Sequence, residues 1–317
     1  MTAGLDGRAR AAISALMRPH FYYSADFNIP LPEKHRFPGH KYELLRRELL
    51  ARGLVDEDQL HMSPEADEAD IVLAHDPAYV SALSDGSIDP RVMRRIGFPW
   101  SEQIPRRGRR TVGGAIEAAR TALQVGLSGQ LAGGTHHAHA GFGAGFCIYN
   151  DFAVVAKKAL AEHWVDRIAI VDLDVHQGDG NAAILGGDAR IFILDAFGAK
   201  NFPFRKVPGT LDIPFEDNPG DDAYLTRVAE RLPEVWNFAP DLVLYQAGVD
   251  PLVHDRLGRM DLSFEGLMAR DRMVLEGCRK RGIPCSMGIG GGYADPIDPT
   301  VTAYANTYEV AKAVYGF

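Results

Sequence analysis

The stretch that decides the fold is residues 168–180, IAIVDLDVHQGDG, where an apolar run passes directly into aspartates, a histidine and glycines. The run from Ile168 to Val171 has the continuous apolar character of a parallel strand that is buried on both faces. Open α/β sheets place their ligand sites beyond the carboxyl ends of such strands. The polar residues that follow Val171 are therefore predicted to form part of a site.

Two of these residues, Asp174 and His176, stand two positions apart, so an extended backbone points both side chains to the same side. A carboxylate and an imidazole suit zinc, and a catalytic zinc site usually has three protein ligands and one open position. The third ligand must then come from another loop. The alternative is a strand followed by a turn whose aspartates cap the next helix. Three crowded carboxylates disfavour that alternative, because they normally persist only where a metal ion or a positive partner offsets their charge.

Size and composition fit one large α/β domain. The chain has 317 residues, of which 46% are hydrophobic, and it shows no low-complexity tract, internal repeat or linker-like segment. Strand-like and helix-like segments alternate along the chain, which predicts a mostly parallel sheet flanked by helices on both faces. We expect residues 1–317 to form a single domain.

Short apolar runs mark the candidate strands, and apolar residues at three- or four-residue spacing mark the candidate helices. The predicted strands are 21–23, 71–73, 130–132, 168–171, 191–194, 242–245 and 284–287. The predicted helices are 40–52, 111–125, 152–162, 223–236, 264–281 and 302–315, with a short helix that begins after Asp76 and Pro77.

Charge and cysteine content exclude several classes of function. The formal net charge of −8 gives no electrostatic reason to expect nucleic acid or an anionic membrane as a partner. The basic cluster Arg106 to Arg110 is predicted to be a solvated loop leading into a helix; the alternative is a patch that attracts acidic partners. Cys147, Cys278 and Cys285 have no CxxC spacing, which indicates a reducing compartment. Since the sequence has neither a leader-like start nor an apolar run of about 18 residues, we expect a cytoplasmic protein.

Four loops after predicted strands carry reactive side chains, and all four are expected to open onto one rim of the sheet. The loop after residue 245 holds Asp250, which is the natural third metal ligand. The small pair Ala247 and Gly248 lets its backbone approach another group closely. Taken alone, Asp250 would more often be a helix cap before Pro251.

Two further loops carry candidate groups for proton transfer and oxyanion stabilisation. His136 and His137 are a pair of acid/base candidates that can reach one substrate if the preceding glycines turn the chain; otherwise they are surface histidines. Asp172 and Asp179 are available to orient the imidazoles. Tyr293 follows three glycines and could donate a hydrogen bond to an oxyanion, although a packing aromatic is the plainer interpretation of that motif alone.

Taken together, the motifs resemble the zinc-dependent deacetylases of the histone deacetylase superfamily, which have an arginase-like α/β fold. The matching stretches, in order, are 133–138, 145–147 with 150–151, 172–180, 246–251 and 290–293. The resemblance implies that zinc is held by Asp174, His176 and Asp250. It also implies that His137 is the general base and then acid, and that His136 is its electrostatic or acid partner. Asp172 and Asp179 would support these histidines, Tyr293 would polarise the acyl carbonyl, and Gly145 and Phe146 would line an acyl-lysine tunnel.

The same resemblance implies a structural potassium ion near the backbone of residues 172–176, with Asp195 or Ala196 as a contributor. Ferrous iron suits the zinc ligands as well. Residues 23–29 and Gln177 are most similar to the class IV branch and its bacterial relatives.

One wall of the tunnel departs from the pattern of class I enzymes. Val207 stands where an aromatic residue is usual, so this wall is either aliphatic or supplied with a ring by Phe202 or Phe204. The preference for acyl-chain length is therefore open.

The predicted activity is zinc-dependent hydrolysis that removes acetyl or longer acyl groups from lysine side chains of proteins or peptides. An acetylpolyamine amidohydrolase is the nearest alternative; it would favour an acidic entrance, which Arg91, Arg94 and Arg95 in the segment 84–103 disfavour. An arginase-type reaction would want two manganese ions and more carboxylates. A catalytically silent protein that binds acyl-lysine is the alternative from another class, and the oligomeric state stays open.

Overall fold

The computed structural model describes residues 18–24, 29–32 and 35–317. In this part of the chain eight strands form one sheet in the order β2-β1-β3-β8-β7-β4-β5-β6, and all neighbours are parallel. The strands are β1 Phe21–Tyr23, β2 Leu60–Met62, β3 Leu127–Gln130, β4 Ile168–Asp172, β5 Ile191–Gly198, β6 Leu211–Phe215, β7 Leu242–Gln246 and β8 Cys285–Gly288.

Helices connect most of these strands. Within the described residues they are α1 Lys41–Ala51, α2 Glu68–Ile71, α3 Pro77–Asp85, α4 Pro90–Ile96, α5 Gln103–Val125, α6 Asp151–Ala161, α7 Asp179–Leu185, α8 Gly220–Phe238, α9 Phe264–Arg281 and α10 Asp298–Tyr315. A short 3-10 helix at Glu57–Gln59 precedes β2. None of the helices in the described residues is long and apolar enough to cross a membrane.

Strand β4 explains why the sheet is covered on both faces. Its residues are all buried, and alternate side chains enter two different hydrophobic clusters. Ala169 and Val171 join a cluster with residues of α1, α8, α9 and α10, whereas Ile168 and Ile170 join one with residues of α3 to α7. A continuous apolar run is required where neither face meets water. The predicted architecture, a parallel sheet between two helical layers, is confirmed.

The centre of the sheet positions the candidate site. Strands β3, β8, β7 and β4 are direct neighbours, and they are the four strands that precede the four polar loops singled out in the sequence. Asp172 at the end of β4 lies in register with Gln246 of β7, which in turn lies in register with Gly288 of β8. Because the strands are parallel, these loops leave the same edge of the sheet.

Two of the strand predictions need correction. The run 71–73 was predicted as a strand but lies at the end of α2 and in the turn after it, because three apolar residues do not distinguish a buried strand from a buried helix. The strand predicted at 130–132 is displaced; β3 ends at Gln130, and the segment after it already turns towards the site.

Both edge strands were absent from the predictions. At one edge β2 has three residues with a single buried side chain. At the other edge β6 contains Pro214, which cannot donate to a ladder and is tolerated in edge strands. The three residues of β2 are too few to give a pattern. In β6 the apolar residues Leu211, Ile213 and Phe215 do alternate, but the proline within the run argues against a strand.

The basic cluster Arg106 to Arg110 was predicted to be a loop, and this prediction was wrong. It lies inside α5, whose first turn contains Pro105, a position where proline costs no hydrogen bond. Arg107 is buried, and a side chain at Gly108 would meet the ring of Tyr149 at 2.7 Å. Part of the cluster therefore packs against the interior of the protein.

Cys147, Cys278 and Cys285 are all buried and free.

Candidate active site

The three predicted metal ligands converge beyond the ends of β4 and β7. His176 Nδ1 lies 3.1 Å from Asp174 Oδ1 and 2.9 Å from Asp250 Oδ2. One ligand atom from each residue lies within 4.8 Å of the others, and all three residues are buried. Among the described residues this is the one group of three or more acidic, histidine or cysteine side chains with that geometry.

The donor set fits a divalent cation. Burial and the charge of Asp174 raise the pKa of Asp250 to about 7, which shows how poorly this site tolerates two bare carboxylates. Burial lowers the pKa of His176, but the carboxylates of Asp250 and Asp174 outweigh it and raise that pKa to about 10. A cation held by two carboxylates and one imidazole would offset this charge directly, and such a mixed oxygen and nitrogen set suits zinc.

Glycines let the other loops approach the ligands. A side-chain carbon at Gly291 would lie 1.8 Å from Asp250 Oδ2, and one at Gly248 would lie 2.2 Å from Asp174 Oδ2. The backbone N–H of Gly291 donates to Asp174 Oδ2 at 2.7 Å. Any larger residue at Gly248 or Gly291 would displace a candidate ligand.

The turn before the two histidines has the geometry that the sequence required. Gly133 and Gly134 have φ angles of 80° and 74°, which side chains rarely adopt. Asp151, at the start of α6, accepts hydrogen bonds from the backbone N–H groups of Gly134 and Thr135 and from the Thr135 hydroxyl, at 2.8 to 2.9 Å. This clamp brings the rings of His136 and His137 within 4.2 Å, centroid to centroid.

Each histidine contacts one of the two aspartates that were expected to support the pair. His136 Nδ1 lies 2.8 Å from Asp172 Oδ2, and His137 Nδ1 lies 2.7 Å from Asp179 Oδ1. For His136, burial lowers the pKa but Asp172 and the nearby Asp174 outweigh it and raise the pKa to about 10. For His137, burial and the adjacent His136 lower the pKa to about 3. The neighbouring imidazoles are thus driven towards opposite protonation states.

Asp179 also binds a residue to which the sequence assigned no role. His139 Nε2 lies 2.8 Å from Asp179 Oδ2, so Asp179 bridges His137 and His139. The His139 ring stacks on Phe142 with centroids 4.5 Å apart. The spacing of His139 from His137 could have suggested a shared partner, but only the fold shows which carboxylate it is.

The backbone of Tyr293 is held from both sides. Its N–H donates to Asp255 Oδ2 at 2.6 Å, and its carbonyl accepts from Arg256 Nε at 3.1 Å. Burial raises the pKa of the phenol well above its usual range, so the hydroxyl keeps its proton and can donate it in a hydrogen bond.

Lys41 is a second residue that the sequence analysis missed. It is fully buried, its Nζ donates to Gly292 O and the Tyr304 hydroxyl at 3.1 Å each, and it lies 4.7 Å from the centroid of the Tyr293 ring. A lysine on the apolar side of α1 was the available signal, because lysine is almost never fully buried without partners.

A cavity of about 390 Å³ leads from the surface to these groups. Gly145, Phe146 and Phe202 form part of its wall, as do His137, His176 and Tyr293. We call the site formed by the two histidine–aspartate pairs and the three ligands the floor of this tunnel; it comprises His136, His137, Asp172, Asp174, His176, Asp179 and Asp250. Four cations line the tunnel near the surface, and we call them the mouth: Arg36, Arg95, Lys200 and Arg259.

Both candidate rings, Phe202 and Phe204, line the tunnel, and Phe202 is the one that contacts a residue of the floor. Its ring meets the ring of His137 edge-on with centroids 4.8 Å apart, whereas the side chain of Phe204 is mostly exposed. Val207 instead exchanges two hydrogen bonds of 2.9 Å with the side-chain amide of Gln177. Gln177 therefore anchors the segment that presents Phe202.

A smaller cavity of about 60 Å³ continues inward from the floor. It shares His137, His176 and Tyr293 with the tunnel and extends to Lys41 and Arg107. The candidate site is thus open on its surface side and also has a small internal space.

Asp195 lies behind the floor with one carboxylate oxygen unsatisfied. Its Oδ2 accepts from the N–H of Gly178 at 2.8 Å, while its buried Oδ1 has no hydrogen-bond partner. Burial and the nearby Asp172 raise the pKa of Asp195 well above its usual range. A buried oxygen without a partner next to the 172–176 backbone is compatible with a monovalent cation there.

Comparison with known proteins gives the same assignment as the geometry. Residues 35–308 match the histone deacetylase domain. An uncharacterised protein of Picosynechococcus sp. is 42% identical over 294 residues, which cover 92% of this chain and 98% of the relative. Histone deacetylase 2 of Arabidopsis thaliana is 31% identical over 291 residues, which cover 88% of this chain and 75% of that protein. The acetoin utilization protein AcuC of Staphylococcus aureus is 28% identical over 74% of this chain and 66% of its own length.

A solved structure agrees with the fold. An HDAC homolog crystallised in complex with SAHA matches with a TM-score of 0.80 at 26% sequence identity, covering 94% of this chain and 84% of that chain. The finer assignment to the class IV branch stays a prediction, and residues 25–28 of the segment that suggested it lie outside the described residues. With the domain match spanning most of the chain, the chain belongs to the histone deacetylase family and is a deacetylase-type hydrolase of amide bonds.

Proposed function

We propose that this protein is a metal-dependent lysine deacylase that removes acetyl or longer acyl groups from lysine side chains of proteins or peptides. One observation carries the proposal: His176 of the ligand cluster, His137 and Tyr293 line one tunnel with aromatic walls. A neutral acyl-lysine side chain is long, apolar along its stem and polar only at its amide, so it matches such a tunnel.

Asp174, His176 and Asp250 would hold the metal ion, which we propose to be zinc, with ferrous iron as the alternative in the cell. When bound, such an ion polarises a carbonyl and lowers the pKa of water. The buried carboxylates in contact with His176 support this assignment independently of the family.

In the proposed reaction His137 takes the proton from the attacking water. Asp179 accepts from its Nδ1, which fixes the tautomer that leaves Nε2 free to receive a proton. The positive charge on His136, stabilised by Asp172, supports the developing oxyanion, and Tyr293 donates a hydrogen bond to it. His137 then returns the proton to the leaving amine, since a base in the first step can serve as the acid in the second.

We also propose that residues 1–317 form one catalytic domain and that a structural potassium ion lies beside Asp195. The continuous sheet from β1 to β8 supports the first proposal. The unsatisfied Asp195 Oδ1 supports the second.

The mouth disfavours acetylpolyamines as substrates. Arg95, at the end of α4, faces the tunnel together with three further cations, and these would repel a polyamine. A silent acyl-lysine-binding protein is disfavoured by the complete set of acid/base and hydrogen-bonding groups, which binding alone does not need.

The test is a panel of acetyl-lysine peptides, longer acyl-lysine peptides and acetylpolyamines, assayed with and without a chelator. We expect hydrolysis of peptides, loss of turnover on chelation and recovery on adding zinc. Turnover that is confined to polyamines would contradict the protein-lysine assignment. Tight peptide binding without turnover by metal-loaded protein would favour the silent alternative.

A further inference from the structure

The mouth of the tunnel is cationic, although the chain as a whole is acidic. The sequence contains 42 acidic and 34 basic residues, for a formal net charge of −8. The described residues that line the tunnel nevertheless include four cations and neither an aspartate nor a glutamate outside the floor. They come from the segment before α1, from α4 and from the loops after β5 and β7, so four separate parts of the chain bring positive charge to one opening.

The four cations differ in how far they are neutralised. Lys200 and Arg259 both lie near Asp217, at 3.5 and 3.6 Å, and Lys200 also pairs with Glu216 at 3.2 Å. The side chains of Lys200 and Arg259 are more than half exposed, and exposed ion pairs of this kind contribute little to the stability of the fold. Arg36 and Arg95 are exposed and form no ion pair with a described carboxylate. Within the described part of the chain, two positive charges at the mouth therefore have no ion-pair partner.

Arg95 is held in place at the mouth. Its guanidinium lies over the ring of Phe142, 3.7 Å from the centroid. Its carbonyl accepts from the N–H of Gly145 at 3.2 Å, and the carbonyl of Ile96 accepts from the N–H of Phe146 at 2.7 Å. The end of α4 is thus fastened to the tunnel wall, and the charge of Arg95 has a defined position relative to an incoming substrate.

Charge at the mouth acts on the residues that flank the acyl-lysine. The acylated side chain that enters the tunnel is neutral. The charge of the mouth therefore distinguishes substrates by the residues next to the acyl-lysine, which stay outside the tunnel. Resting on the function proposed above, we propose that the mouth selects acyl-lysines within acidic segments and rejects lysine- and arginine-rich segments. Cationic clefts raise the local concentration of anionic partners, and a rim charge acts mainly on association and on its salt dependence.

The experiment uses three acetyl-lysine peptides of equal length, flanked by aspartate, glutamine or lysine, and the full-length metal-loaded enzyme. At low ionic strength we expect kcat/KM to fall from the acidic to the basic peptide by roughly tenfold, the lower end of electrostatic steering effects. At high salt the ratio should shrink towards one, because the Debye length falls to about 3 Å at 1 M.

Two double variants separate the effect of the charge at the mouth from the effect of the net charge of the protein. The double substitution Arg36→Glu and Arg95→Glu should reverse the order of the three peptides. The matched control, Arg231→Glu with Arg272→Glu, makes the same change in net charge on α8 and α9, at exposed arginines that do not line the tunnel, and should keep the original order. Thermal unfolding checks that both variants are folded.

The outcomes distinguish this proposal from the proposed function. Hydrolysis of all three peptides at equal rates in low salt, or a preference for the basic one, would overturn the acidic-segment proposal and leave the deacylase function standing. A reversed order in the control variant as well would assign the effect to net charge and overturn the role of the mouth. Failure to hydrolyse any peptide would contradict the deacylase function itself.

Discussion

The floor and the mouth of the tunnel differ in the burial and the pairing of their charged side chains. In the floor each of the four carboxylates is buried and hydrogen-bonded to a histidine or to backbone N–H groups. In the mouth the cations are exposed, and two of them have no acidic partner among the described residues. Electrostatic interactions are strong where water is excluded and are screened by salt at the surface. Substitutions in the floor should therefore change chemistry by orders of magnitude, and those in the mouth should change substrate choice.

The largest effect is expected from Asp174→Ala. Removal of one of three ligands leaves Asp250 and His176 alone, and we expect the variant to lose both its metal and its activity. Metal content by mass spectrometry of the purified protein, together with turnover of an acetyl-lysine peptide, measures both. A fully metallated and active variant would remove Asp174 from the ligand set.

His137→Ala is expected to reduce kcat by about 10²- to 10⁴-fold, the usual contribution of a general base. His136→Ala is the matched comparison within the floor, because its ring is adjacent and the role that we propose for it is electrostatic. We expect a smaller loss in that variant. Equal losses with unchanged metal content would mean that the two imidazoles share the proton transfer.

Tyr293→Phe is expected to reduce kcat by roughly 10²-fold, the cost of one lost oxyanion donor. Tyr22→Phe is a suitable control, since Tyr22 does not line the tunnel and its hydroxyl forms a hydrogen bond with Thr121 of α5. Steady-state kinetics on one peptide gives both values. Full activity of Tyr293→Phe would show that the phenol takes no part in the reaction.

A smaller effect, a loss of about tenfold in kcat, is expected from His139→Ala. This is the usual cost of removing a residue that orients a site group through another side chain. Asp179 would keep only its bond to His137, so the imidazole would be less firmly oriented while KM stays unchanged. His139→Gln keeps an N–H donor and should recover part of the loss. A change in KM alone would mean that His139 acts on substrate binding instead.

The last prediction concerns stability. A buried histidine, His75, holds backbone groups close to the floor. His75 Nε2 accepts from the N–H of Asn150 at 2.8 Å, and its Nδ1 donates to His139 O at 3.0 Å. Burial lowers the pKa of His75 from 6.5 to about 4. Between these values the unfolded chain binds a proton that the folded protein excludes, so stability is lost as the pH falls.

The loss attributable to His75 should reach about 3 kcal/mol by pH 4, from 1.36 kcal/mol per pKa unit. Denaturant unfolding at pH 7 and pH 4.5 of the wild type and of His75→Asn measures it, because the difference between the two proteins removes the other titrating groups. His254→Asn controls for the loss of an exposed histidine. An identical pH dependence in the wild type and His75→Asn would contradict the prediction.

Much of the fold followed from local patterns. The apolar run of β4 and the glycine and aspartate residues after it are consecutive in sequence, so the strand, its burial and the loop could all be predicted together. Helix α9 was predicted with its observed bounds; in the structure the Ser263 side chain caps its first turn and Gly282 follows its last residue. The edge strands were missed because β2 has only three residues and β6 contains a proline.

Some residues of the candidate site could likewise be predicted from the sequence, and others could not. Asp250 was chosen as a ligand from its place after an apolar strand, and the structure puts it 2.9 Å from His176. Which ring contacts His137 could not be chosen, because the positions of Phe202 and Phe204 depend on how the loop turns; both line the tunnel. His139 and Lys41 were missed because their partners lie about 40 and 250 residues away.

What the sequence by itself determined is the parallel sheet between helices, the family and the residues that can bind a metal or carry a proton, since each depends on neighbouring residues or on a fixed motif. What only the tertiary structure decided is which side chains share a carboxylate, which ring contacts His137 and which sign of charge surrounds the mouth of the tunnel. Those properties arise where distant segments meet, and the distance between two side chains in a folded chain is set by the packing of the elements that carry them.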